Sequence, residues 1–193
     1  MECICIIGGA STGLNKAYYE ASVLLGKYLA EKNYQVMYAG SRMGLMGVIA
    51  DSAKEGGSRL IGAMPEFLLK KEVVNIRLDK FFVTKTMTER KKYMCNWGDS
   101  YVVAPGGLGT LAIIFDIITW KQMGLHSKPI AFYNINGYFD GLLESLKKMS
   151  ELGFIKQEDI DQFVVETDLN TMFSKLQAKF DVLEKKVSGM NKA

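Results

Sequence analysis

Apolar and polar positions along this chain follow two periods in turn. Short runs that are apolar throughout, Ile4 to Ile7 and Tyr101-Val102-Val103-Ala104, have the pattern of strands buried on both faces of a parallel sheet. Gln35-Val36-Met37-Tyr38, Arg59 to Met64, Pro129 to Tyr133 and Phe163-Val164-Val165 read the same way, and a strand-like pattern returns around Ile76 to Val83. Between these runs the spacing lengthens to that of a helix. From about Lys16 to Glu31, Ala17, Ala21, Leu24, Leu25, Tyr28 and Leu29 mark one apolar face. Further helices are predicted over Leu45 to Lys54, Thr86 to Met94, Leu111 to Met123, Tyr138 to Leu152 and Leu169 to Leu183. Pro65 to Glu72 reads as a connecting piece of one or two helical turns, and Ser188 to Ala193 as a frayed tail. The alternation runs without linker or repeat. It predicts one α/β domain over 1–193, a parallel sheet with helices on both faces and ligands at the carboxyl ends of its strands.

Three glycine-rich turns follow strands, and all three are expected to open onto that edge. The most telling is Pro105-Gly106-Gly107-Leu108-Gly109-Thr110, set between an apolar strand and a helix. A strand, a glycine turn and a helix start make an anion site, because backbone N–H groups point outward and the helix dipole favours negative charge. Gly106, Gly107 and Gly109 are free to take positive φ and carry no Cβ to obstruct a ligand. Thr110 is a candidate helix cap or hydroxyl donor. The turn Gly8 to Gly13 offers Gly9 as well as the hydroxyls of Ser11 and Thr12, and reads equally as a ligand turn or a plain helix entry. It lacks the full dinucleotide fingerprint. Ala39 to Gly47 is the third such turn.

The helix from Thr86 adds a cation. Thr86 fits the N-cap with Glu89 three residues on, and Met87, Arg90 and Met94 share one face. An arginine between two methionines is out of place on a solvated surface; it faces a ligand, water or a structural carboxylate. The helix from Leu111 is apolar almost all round, which predicts a second cover such as a subunit interface through 111–123.

Composition removes several alternatives. The 193 residues carry a formal net charge of +3, and the Lys70-Lys71 and Lys91-Lys92 pairs are too short to make a nucleic-acid surface. No segment has the apolar length of a membrane span, and the N-terminus reads as a first strand rather than a leader. Cys3, Cys5 and Cys95 have no partner cluster of Cys or His, so they read as free thiols in a reducing cytoplasm and not as a metal site. His126, the only histidine, sits in a loop beside Ser127 with no acidic neighbour, a weak catalytic candidate.

These residues resemble the Lonely-guy family. Pro105 to Thr110 matches the first six positions of its PGGxGTxxE signature; Gly40 through Gly47 is similar to its second glycine segment, and Met87 through Lys91 to its Met-x-x-Arg-Lys helix motif. Ile118-Thr119-Trp120, Lys128-Pro129 and Asn136-Gly137-Tyr138 fall in family order, and the resemblance spans roughly residues 3 to 165. It implies a Rossmann-like three-layer sandwich, a homodimer and a site for a nucleoside 5′-monophosphate. It implies hydrolysis of the N-glycosidic bond of cytokinin riboside monophosphates or AMP, with no metal, pyridoxal phosphate or nicotinamide cofactor. By the same resemblance Gly106, Gly107, Gly109 and Thr110 bind phosphate, and Arg90 is the catalytic cation that holds and polarises the nucleotide. Gly9, Ser11, Gly40, Met87 and Lys91 complete the expected binding set.

One position departs from the signature. Its closing glutamate is Ile113 here, preceded by Ala112. Breaking the bond to the base builds positive charge at the anomeric carbon, which a carboxylate stabilises, attacks or relieves by activating water. Isoleucine does none of these. Asp116, one turn along, and Glu89, beside Arg90, are the carboxylates considered as substitutes. Two rivals stand beside the hydrolase: a nucleotide-binding relative without catalysis, and an unrelated flavodoxin-like binder of flavin or nucleotide.

Overall fold

A computed structural model describes the chain from residue 1 to residue 190. Seven strands form one sheet: β1 (Cys3–Ile7), β2 (Gln35–Tyr38), β3 (Leu60–Pro65), β4 (Lys80–Thr84), β5 (Ser100–Val103), β6 (Ile130–Tyr133) and β7 (Phe163–Glu166). Among the described residues seven α-helices accompany them: α1 (Lys16–Glu31), α2 (Gly44–Glu55), α3 (Met87–Trp97), α4 (Leu108–Gln122), α5 (Asp140–Glu151), α6 (Gln157–Asp161) and α7 (Leu169–Met190). The spatial order is β4-β3-β2-β1-β5-β6-β7, and every pairing is parallel. The chain therefore grows outward from β1 to β4, crosses back, and grows outward again from β5. The switch lies between β1 and β5, which run in register from Ile4 opposite Ser100 to Ile7 opposite Val103.

Strand residues alternate between two cores, as the pleat requires. Ile4 and Ile6 face a layer with Leu25, Leu29, Ile49, Ala53, Phe173 and Leu176, from α1, α2 and α7. Cys3, Cys5 and Ile7 face the other layer with Met94 of α3, Ile114, Ile117 and Ile118 of α4, and Phe139 just before α5. The three layers expected from the sequence are present. Gly26 lets α1 lie against α2, since a Cβ there would stand 2.5 Å from the Ile49 carbonyl oxygen. Cys3 and Cys5 are buried free thiols. Among the described residues no helix is long and apolar enough to cross a membrane.

Four local differences matter. The strand expected over Ile76 to Val83 forms only over Lys80–Thr84. The preceding residues fold across the turn after β2: Ser41 bridges Val74, the Arg42 N–H donates to the Val73 carbonyl at 2.8 Å, and the Asn75 N–H donates to the Gly40 carbonyl at 2.8 Å. Asn75 ends the extended run by accepting from the Arg77 N–H and donating to Asp51. Helix α4 begins at Leu108 rather than Leu111, with extended Gly107 as its N-cap, so Thr110 lies in the first turn and is not the cap. Gly106, Gly107 and Gly109 are also absent from the positive-φ glycines, which include Gly13, Gly40 and Gly44. Short α6 has too few residues to show a helical period, and α7 runs past Leu183 to Met190; Asn191 to Ala193 of the expected tail lie outside the described residues.

Candidate functional site

A cavity of about 630 Å³ opens where β1 and β5 end. This is where the topology of an open parallel sheet leaves a crevice, because the connections from two neighbouring strands leave in opposite directions. Its walls combine the turn Gly8 to Gly13, the turn Pro105 to Thr110, Leu45 and Met46 of α2, Met87, Arg90 and Met94 of α3, and Ile113 of α4. Leu68, Glu72, Tyr18 and Tyr138 close the rest.

The two turns are locked together. The Gly9 N–H donates to the Pro105 carbonyl at 2.9 Å. A Cβ on Gly106 would stand 2.1 Å from Thr110 Oγ1 and 2.6 Å from the Gly9 nitrogen, so glycine is required there by close approach. Tyr138 donates its hydroxyl to the Gly106 carbonyl at 2.5 Å, and its ring meets Tyr18 edge-on at 5.6 Å between centroids. By contrast, a Cβ on Gly107 or Gly109 would meet nothing within 4 Å. No side chain caps α4, its first turn holds no acidic residue, and no described residue accepts from the Leu108 and Gly109 amides. Those open amides and the positive end of the helix dipole are the physical ingredients of an anion site.

Arg90 supplies the charge. The residue is only 5% exposed, its Nε–H is buried without a partner, and no carboxylate oxygen of the described residues lies within 4.0 Å of the guanidinium. Burial pushes its pKa below the ordinary arginine value, and the Glu72 carboxylate opposes that shift. Arginine nevertheless stays protonated. Arg90 is thus a buried cation on the cavity wall whose Nε–H has no acceptor among the described residues.

The expected binding residues divide. Gly9, Ser11, Met87, Arg90, Gly106, Gly107, Gly109 and Thr110 come together on the cavity wall. Gly40 and Lys91 do not reach it. Gly40 takes φ +83° and is covered by Phe81, whose ring would stand 3.1 Å from a Cβ. The third glycine turn is thus overlaid by its own chain at Gly40, and of its residues only Leu45 and Met46 touch the cavity. Lys91 pairs with Asp116, tying α3 to α4 off the cavity. That pairing occupies one candidate substitute for the missing glutamate. The other, Glu89, accepts from the Lys85 N–H at 2.7 Å while Thr86 caps the Glu89 N–H at 3.1 Å. Ile113 stands on the wall itself, 9% exposed, where the signature has glutamate.

Sequence reasoning missed Glu72 and Tyr18, and gave Tyr138 no role. Among the described residues Glu72 is the only carboxylate lining the cavity. Its N–H donates to the Leu68 carbonyl at 2.8 Å, closing one helical turn that sets both side chains on the same side. The available signal was position: Glu72 follows the carboxyl end of β3, on the ligand edge. His126 lies elsewhere, its neutral ring held by the Ile117 carbonyl and the Lys128 N–H. Among the described residues no three His, Cys, Asp or Glu side chains group as a metal site.

Residues 46–176 match the protein family described as possible lysine decarboxylase. The chain is 36% identical over 174 residues to a probable cytokinin riboside 5′-monophosphate phosphoribohydrolase of Oryza sativa subsp. japonica, covering 90% of this chain and 77% of that protein. It is 36% identical over 152 residues to a cytokinin riboside 5′-monophosphate phosphoribohydrolase of Arabidopsis thaliana, covering 79% and 71%. Among solved structures, the molybdenum cofactor carrier protein of Chlamydomonas reinhardtii superposes with a TM-score of 0.69 at 18% identity, over 93% of this chain and 98% of that one. The molybdenum cofactor binding protein of Rippkaea orientalis gives 0.68 at 17% identity, over 92% and 96%. At such identities the likeness is one of fold alone.

Proposed function

The chain belongs to the Lonely-guy family, also described as possible lysine decarboxylases, and on that premise we propose that its cavity binds a nucleoside 5′-monophosphate and cleaves sugar from base. The products are the free base and ribose 5-phosphate, and the substrate class is cytokinin riboside monophosphate or AMP. The observation that carries this reading is Arg90: a buried guanidinium with an unpartnered Nε–H, sharing one cavity with the open start of α4. Phosphate sits on the amides of Gly107, Leu108 and Gly109. The apolar wall of Leu45, Met46, Leu68, Met87 and Met94 takes the base, where dispersion and water exclusion favour a flat heterocycle.

Hydrolysis builds positive charge on the sugar, and a cation that holds the phosphate and draws electrons from the departing base lowers the barrier. Ile113 leaves that chemistry without the signature carboxylate. This substitution favours a second reading, a relative that binds the nucleotide and does not cleave it. The half-covered outer stripe of α4, with Leu108 86% exposed and Phe115 half-buried, supports a homodimer through this helix. Sedimentation at several concentrations tests it, and a monomer throughout removes the dimer.

Calorimetric titration with AMP, together with chromatography of released adenine, tests the main reading on the chain and on Ile113→Glu. Binding with adenine release supports the hydrolase. Binding with release only in Ile113→Glu supports the binding-only relative. No binding by either protein removes the nucleotide site.

A further inference from the structure

Resting on the nucleotide reading, we infer that Glu72 is the catalytic carboxylate of this chain, acting from the β3–β4 connection in place of the residue missing at Ile113. Three observations converge on it. Among the described residues Glu72 is the only carboxylate on the cavity wall, where Ile113 also stands. Its half-buried side chain accepts no hydrogen bond from any described residue, whereas Asp116 and Glu89 are each engaged elsewhere. And it faces Arg90 without closing on it. The two charges sense each other through the cavity, yet no ion pair within 4.0 Å joins them. Opposite charges that close in a free protein cancel each other. Held apart across a cavity, they leave room for a molecule that is anionic at one end and becomes cationic at its middle. A nucleoside monophosphate undergoing cleavage of its glycosidic bond is such a molecule.

The step balances without a co-reactant beyond water. Arg90 and the α4 amides hold the phosphate, which sets the ribose between them and Glu72. The bond from the anomeric carbon to the base breaks, and its electron pair leaves on the ring nitrogen. Water forms the new carbon–oxygen bond and gives its proton to the Glu72 carboxylate, which returns it to the departing base. Nucleotide and water are consumed; free base and ribose 5-phosphate leave. The ionised carboxylate also stabilises the positive charge at the sugar before water adds.

The experiment compares the native chain, Glu72→Gln, Glu72→Ala, and Glu72→Gln combined with Ile113→Glu. AMP binding is followed by calorimetry and adenine release by chromatography, with circular dichroism to verify folding. The expected result is adenine release by the native chain and a kcat lower by ~10²–10⁴-fold in Glu72→Gln, with AMP still bound. Added formate restores part of the rate to Glu72→Ala, and Ile113→Glu restores rate to Glu72→Gln. A purely structural Glu72 would show neither rescue. A native chain that binds AMP and releases no adenine overturns the inference and leaves the nucleotide site standing, as does a folded Glu72→Gln with native kcat. Absence of AMP binding by the native chain removes the nucleotide reading, and this inference with it.

Discussion

Helices α2 and α4 both start where a strand runs into glycines, and they put the same geometry to different use. At α2 the Leu45 and Met46 amides reach the Ser11 and Gly9 carbonyls at 3.4 and 3.5 Å. Gly44 is pressed so close that a Cβ would stand 2.4 Å from the Gly9 carbonyl oxygen. The helix dipole there is spent on the protein's own backbone. At α4 the Thr110 N–H turns back to the Gly107 carbonyl at 3.0 Å, the Leu108 and Gly109 amides have no acceptor among the described residues, and Arg90 lines the same cavity. The difference follows from the sheet. Strand β5 ends beside β1 at the switch, where connections diverge, while β2 ends beneath the segment that returns to β4. A glycine turn marks tight backbone; its place in the sheet decides whether ligand or chain fills the space.

The sharpest break of this comparison is Arg90→Met. Removing a buried, unpaired charge is expected to stabilise the free protein by ~1–3 kcal/mol, read as a higher Tm. AMP affinity is expected to fall by ~10–100-fold, as for a lost hydrogen bond to a charged group. Retained AMP affinity would move the anion site away from α4.

Aspartate at the two N-caps sharpens it. Gly107→Asp is expected to raise stability by ~0.5–1 kcal/mol by capping open amides, while the new carboxylate occupies the phosphate position and suppresses AMP binding. Met43→Asp at α2 leaves AMP binding unchanged and gains less stability, because those amides already have acceptors. Equal effects at both caps would erase the distinction.

Much of this was legible and some was not, for physical reasons. The strands showed as apolar runs because parallel strands are buried on both faces. Arg90 stood out because charge between Met87 and Met94 contradicts an apolar face. Glu72 did not, since a connecting piece has no period and its aim depends on where β3 ends. The Lys91–Asp116 pair joins two helices across tertiary space, which no local spacing reports. Gly40 looked like Gly106 because the need for glycine is the same whether Phe81 or a phosphate lies beside it.

Two smaller tests locate the effect along the site and along α4. Tyr138→Phe removes the bond to the Gly106 carbonyl and is expected to weaken AMP binding about fivefold, ~1 kcal/mol; an unchanged titration would show that the turn holds its shape unaided. The far end of the helix gives the smallest effect. Burial keeps His126 below its ordinary 6.5, so its contribution to stability is present in full above that pH and is lost as pH falls through the lowered value. Tm should therefore drop on acidification from pH 7, and His126→Gln should flatten the slope. Protonation ends the Lys128 N–H bond to Nδ1 and leaves the α4 start untouched.

The neighbouring strands at the switch are far apart in translation. β1 pairs with β5 through Ile4 and Ser100, and the Gly9 amide waits for the Pro105 carbonyl. At ~5–20 residues per second the two turns leave a ribosome roughly 5–20 s apart. During that interval β1 has one edge unpaired and half a cavity. Nascent β1–β4 is thus a sheet with its central strand exposed, open to a chaperone or a wrong partner, until β5 arrives. The central crevice that gives this fold its ligand site also makes that site wait for the second half of the chain.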